Sequence, residues 1–251
     1  DDFIRHAVEI MGLTTPSSKE KCHMQELLVT SLLRPHEHSL TELEKEVRIN
    51  VPHHSEKGII FVYVQFQNAE VYAHTDVTCA VKVQSKFPLP IRFSRLKLVF
   101  NEQKYNQKLF DGGLLMFSSP KEMRDDFIRS EWEKESLEKD NLFLMPGQSK
   151  TYNFTFTIPQ LAALDCHSVE LHLGTAPSLV IFEWDFQSWK PEYFHPRYER
   201  HVEEFKKGGF VQRPTVSIQK PKPKLSLDVF HDPPALSREY YEMVIQITRK
   251  P

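Results

Sequence analysis

Thr151-Tyr-Asn-Phe-Thr-Phe-Thr-Ile158 carries the cleanest period-two signal in the chain. Tyr152, Phe154, Phe156 and Ile158 alternate with Thr151, Asn153, Thr155 and Thr157, a period of two that gives an extended strand one apolar and one polar face. The Pro146-Gly147 turn precedes it. Upstream, residues 59–66 (IIFVYVQF) form a β-branched and aromatic run, too short for a favoured helix. Val77, Cys79, Val81 and Val83 alternate with Thr78, Ala80, Lys82 and Gln84, and residues 68–76 read as the turn between these two strands. Pro88 and Pro90 interrupt the chain before Leu96, Leu98 and Phe100 resume in register. Downstream, Val169, Leu171 and Leu173 precede residues 179–184, apolar except for Glu183 and so read as a buried strand. Six or so strands separated by turn signals predict an immunoglobulin-like antiparallel β-sandwich, a mainly β fold. Parallel α/β is disfavoured, because most neighbouring strands lack a crossover helix between them.

Residues 1–50 follow another period. Phe3, Ala7, Ile10 and Met11 recur at helical spacing, as do Met24, Leu27, Leu28, Ser31 and Leu32. Pro16, Ser17 and Ser18 mark a break and a cap for the second helix. Residues 1–50 are thus expected to be a helical segment, the end of an α-solenoid, with the period changing to two at Gly58. The sandwich is expected over residues 58–212. Residues 120–140 are read as a charged helical insertion, because eight acids and five bases surround a stripe of Phe127, Ile128, Trp132 and Leu137. Residues 213–251 are read as a linker and the first strands of a second, incomplete sandwich, with Leu225, Leu227 and Val229 in one strand and residues 243–248 in another. A start on Asp1 and an end at Pro251, directly after a strand-like run, predict a piece of a longer polypeptide.

Composition excludes several function classes. In 251 residues, 32 Lys and Arg against 34 Asp and Glu leave no polybasic character for nucleic-acid binding. No run of about 18 apolar residues spans a bilayer. Eight glycines without GxGxxG or a P-loop give no phosphate cradle, and no GxSxG elbow frames a nucleophile. Asp165-Cys166-His167 offers catalytic residue types, but sequence neighbours need not converge in space. His36, His38, His53 and His54 invite a metal site, yet no one-face ligand spacing accompanies them and solvated loop residues are the simpler reading. Cys22, Cys79 and Cys166 have no CxxC spacing, which fits free thiols. A Cys79–Cys166 bridge, with a sugar on the Asn153 sequon, would instead make the chain an extracellular immunoglobulin-like adhesion or recognition module. No catalytic, cofactor-binding or metal-binding residue is assigned.

Two candidate surfaces remain. Trp184, Phe186, Trp189, Tyr193, Phe194 and Tyr198 form an aromatic group suited either to a partner surface or to the edge of the core. Lys206, Lys207, Arg213, Lys220, Lys222 and Lys224, without an acid among them and punctuated by Pro214, Pro221 and Pro223, read as an extended linker able to contact an anionic surface or simply to stay solvated.

The segment LSLDVFHDPPALSREY (residues 225–240) resembles the Gryzun region of the foie gras family, the large metazoan subunit of the TRAPP vesicle-tethering complex. FPLPIRFSRLKLVF (87–100), LMPGQSKTYNF (144–154) and HLG (172–174) also look similar, and together these matches span roughly residues 58–251. The resemblance implies a non-catalytic scaffold in ER-to-Golgi transport and autophagy, supporting an assembly that exchanges nucleotide on a Rab GTPase. It implies other tethering-complex subunits as partners, at most indirect membrane contact, no nucleic acid, no small-molecule substrate and no cofactor. The implied location is cytoplasmic, at Golgi and ER–Golgi intermediate membranes.

Overall fold

The computed structural model describes residues 2–33, 45–51, 58–111, 134, 138, 141–159, 163–175, 178–187, 212–220, 224–231 and 243–250. Two helices come first, α1 (Asp2–Gly12) and α2 (Ser18–Leu33). Ser17 caps α2 reciprocally with Glu20: the Glu20 N–H donates to Ser17 Oγ at 3.3 Å, and the Ser17 N–H donates to Glu20 Oε2 at 2.7 Å. Ala7, Met11, Leu28 and Leu32 are buried between the helices and the strands. No helix among the described residues is long and apolar enough to cross a membrane.

Fourteen strands follow among the described residues. They are β1 (Lys45–Asn50), β2 (Ile60–Phe66), β3 (Glu70–Tyr72), β4 (Asp76–Ser85), β5 (Ile91–Arg92), β6 (Arg95–Phe100) and β7 (Gln107–Phe110). The rest are β8 (Phe143–Leu144), β9 (Ser149–Thr157), β10 (Ala163–Thr175), β11 (Ser178–Asp185), β12 (Thr215–Gln219), β13 (Lys224–His231) and β14 (Met243–Lys250). One layer is the antiparallel sheet β2-β4-β9. The other has seven strands with β10 at its hub. Ala163–Asp165 of β10 pair with β12, Ser168–Thr175 pair with β11, and Cys166–His172 pair with β6, which continues to β7. A bulge between Cys166 and Ser168 shifts the inward phase from Leu164 and Cys166 to Val169, Leu171 and Leu173.

The core fills the space between the layers. Val62, Val64 and Phe66 face Val83, Val81 and Cys79 across β2 and β4. Phe66 meets Phe100 at 6.1 Å between ring centroids, and Phe100 meets Phe156 at 5.6 Å, so aromatic contacts tie the two sheets together. Phe87, Phe93 and Phe182 form a mutually edge-on trio at 6.2–6.3 Å. The chain is a mainly β, immunoglobulin-like sandwich with N-terminal helices.

Three sequence expectations meet a different structure, the first at residues 68–76, where the expected turn holds β3 because its backbone pairs with β12. The helical segment expected over residues 1–50 ends in strand β1, which runs parallel to β11. The linker expected from residue 213 instead holds β12, antiparallel to β10 and parallel to β3. Val216 and Ile218 alternate inward there at 0% and 6% exposure, enough to seat a strand despite the flanking lysines and prolines. The insertion expected at 120–140 lies outside the described residues apart from Lys134 and Glu138. β13 and β14 form a separate hairpin in which Ile245 and Ile247 remain 55% and 65% exposed.

Gln25 fastens α2 to the sandwich. Its Nε2 donates to the Leu89 carbonyl at 3.1 Å and its Oε1 accepts the Leu89 N–H at 2.8 Å, while the residue is only 1% exposed. Gln25→Leu keeps the volume but strips both partners from a buried backbone group. It is expected to cost about 2–3 kcal/mol in urea denaturation, because an orphaned buried polar group costs about 1–3 kcal/mol.

Candidate functional site

The polar face of the seven-stranded sheet carries the most organised charge in the described structure. Alternation along β10 turns Val169, Leu171 and Leu173 inward and leaves Glu170 and His172 on the opposite side. Glu170 is 4% exposed and accepts Lys97 Nζ at 2.9 Å and pairs with His172 Nε2 at 3.0 Å. Arg48 Nη1 on β1 approaches Glu170 at 3.8 Å and Glu183 at 3.4 Å, and its Nε reaches Glu46 at 2.7 Å. The hydrogen bond from His172, reinforced by Lys97 and the charge of Arg48, holds the Glu170 carboxyl down at about 2 against the opposing effect of burial. This network spans β6, β10, β11 and β1, and it locks the parallel edge strand to the sheet.

Beside it lies a groove of about 470 Å³. α1 supplies Arg5, Val8 and Glu9, β1 supplies Arg48, Ile49 and Asn50, and β11 supplies Glu183. Chemically it offers an apolar strip with charges of both signs, suited to recognition of an extended chain.

A second polar cluster gathers where the chain leaves β7 and returns to β8. Asp111 Oδ2 accepts the Leu142 N–H at 2.7 Å and lies 3.7 Å from Arg92 Nε. Lys150 takes an inward position in β9, donating to the Glu138 carbonyl at 2.8 Å and to Asn141 Oδ1, while Tyr152 OH donates to the Asn141 carbonyl at 2.9 Å. Burial lowers the Lys150 ammonium to about 8. The cluster brings Asp111 and Leu142 together and closes that side of the sandwich.

The sequence-derived candidates fall elsewhere. Trp184 and Phe186 are 1% and 4% exposed and pack in the core, which removes both from the candidate partner surface. Trp189, Tyr193, Phe194, Tyr198, Lys206, Lys207 and Lys222 lie outside the described residues. Arg213 is structural: its N–H donates to the Val64 carbonyl at 2.8 Å, its carbonyl accepts the Phe66 N–H at 3.0 Å, and Nη1 reaches the Phe66 carbonyl at 3.4 Å. Lys220 is exposed after β12, and Lys224 opens β13. In Asp165-Cys166-His167 the thiol is buried and pushed well above its ordinary value by that burial, so it is no ready nucleophile. Cys79 and Cys166 are free thiols, as is Cys22. His36, His38, His53 and His54 lie outside the described residues. Sequence reading missed Glu170 and Arg48. The available signal was a lone acid in the apolar run 169–173, since period-two alternation places it on the polar face.

Residues 59–210 match the family model described as the TRAPPC11 first Ig-like domain, more than half of the chain. Trafficking protein particle complex subunit 11 of Bos taurus is 28% identical over 195 residues, covering 69% of this chain and 16% of the relative. The same subunit of Homo sapiens and of Gallus gallus is 26% identical over the same lengths and shares. The aligned part of this chain thus spans about a sixth of those relatives. With its sandwich and its matching segment in agreement, the chain belongs to the family of TRAPPC11 first Ig-like domains.

Proposed function

We propose that this chain is a non-catalytic scaffold within a TRAPP complex subunit, holding neighbouring subunits in an assembly that supports nucleotide exchange on a Rab GTPase. The match of residues 59–210 carries this reading. The whole relatives bear the name of a trafficking particle subunit, and the role in ER-to-Golgi transport and autophagy is proposed by extension from it. Location in the cytoplasm, at Golgi and ER–Golgi membranes, is part of the same proposal. The geometry supports binding over chemistry: the groove beside α1 joins an edge strand to a helix, and its charges are paired across strands or presented to solvent. The test is affinity capture from cell extract with this chain as bait. Recovery of TRAPP subunits supports the scaffold reading. Recovery of cell-surface proteins alone overturns it in favour of an extracellular recognition module.

A further inference from the structure

We infer that the outer edge of β1, with the groove beside α1, is a strand-addition site for an extended peptide segment of a partner protein. The inference rests on the scaffold reading and deepens it by naming a surface and a kind of ligand. Val51 N–H donates to the Glu183 carbonyl at 2.8 Å, which fixes the direction of hydrogen bonding along this strand. Backbone groups alternate sides along a strand, so Val47, Ile49 and Val51 address β11 while Glu46, Arg48 and Asn50 turn their N–H and C=O outward. β1 pairs only with β11 among the described residues, leaving that outer row as a template for another strand.

The neighbouring groove supplies what a bare edge lacks. Its half-buried Val8 and Ile49 can receive an apolar side chain from every second residue of an incoming segment. Arg48 and Glu183 already satisfy each other, whereas Arg5 and Glu9 have no ion-pair partner among the described residues. An incoming segment that carries both an acid and a base complements both. The ion-pair network behind β1 keeps the edge in place, so little ordering is required of the receiving side.

Two variants separate this inference from the reading it rests on. Asn50→Pro deletes an outward N–H, a position where an edge strand tolerates proline. Arg5→Glu reverses an exposed charge on α1. The probe is a library of synthetic extended peptides alternating valine and threonine around one glutamate and one lysine. A binder is expected to lose about tenfold in affinity to the Asn50→Pro chain, equivalent to about 1.4 kcal/mol. It is also expected to weaken with Arg5→Glu, to recover when its glutamate becomes lysine, and to slow amide exchange at Arg48 and Asn50. A library without binders, or binding indifferent to both variants, overturns the strand-addition site. TRAPP subunits captured equally by wild type and both variants would overturn it too, while leaving the scaffold reading intact.

Discussion

Trp184→Ala is expected to destabilise the chain by about 3–5 kcal/mol, the range for deleting a large buried aromatic side chain. The residue is 1% exposed and sits opposite Val169, on the inward face shared by β10 and β11. Phe182 and Val180 line the same face, so the lost ring leaves a cavity in the middle of the larger sheet's packing surface. Denaturant unfolding should shift accordingly, with a fall in Tm of roughly 10 °C. Partner binding should decline only as the folded fraction declines. An unchanged unfolding midpoint together with lost binding would return Trp184 to the partner surface. Trp184→Phe retains most of the apolar area and should cost less, which separates cavity formation from any role of the indole N–H.

Glu170→Gln is the second large effect. The amide keeps the shape and removes the charge that Lys97, His172 and Arg48 share. Breaking a fully buried ion pair costs about 3–5 kcal/mol, but Arg48 is half exposed and Lys97 a quarter exposed, so about 2 kcal/mol is expected. The pH dependence gives an independent check. The Glu170 carboxyl titrates at about 2 in the folded chain, below the roughly 4.3 of an unperturbed glutamate. Between these values the unfolded chain binds more protons, so stability rises with pH across that window. The contribution is complete above the unfolded value and is lost as pH falls toward about 2. Glu170→Gln should flatten this acid limb; parallel curves for variant and wild type would show that Glu170 contributes no linked stability.

The strands most legible in the sequence were those whose burial is set by alternation alone. β4 reads Val77, Cys79, Val81, Val83 and its structure buries those residues in turn. β9 starts with the same regularity, though Lys150 holds an inward place that alternation would give to an apolar residue. β1 was illegible because Val47 and Ile49 are its only apolar residues and Lys45, Glu46 and Arg48 resemble the polar end of a helix. Its stability comes from pairing with β11, more than a hundred residues away, and from Arg48 reaching Glu170 and Glu183. β12 was hidden for a related reason: five residues between prolines and lysines give two inward side chains, and only the neighbouring β10 and β3 make them a strand. Trp184 and Phe186 were ambiguous because an aromatic residue at the end of a buried run suits either a core or an interface, and local pattern does not say which face is covered.

A sandwich organised around β10 keeps its aromatic interior closed, and the proposed binding surface lies at its β1 edge. Hydrogen exchange on the free chain and on the chain within its captured assembly distinguishes the two regions. Amides of residues 169–173, flanked by β6 and β11, should be among the slowest in both states, while Arg48 and Asn50 should slow only in the assembly. Fast exchange throughout residues 169–173, or protection gained there and not along β1, would overturn both the closed interior and the β1 edge as the contact surface.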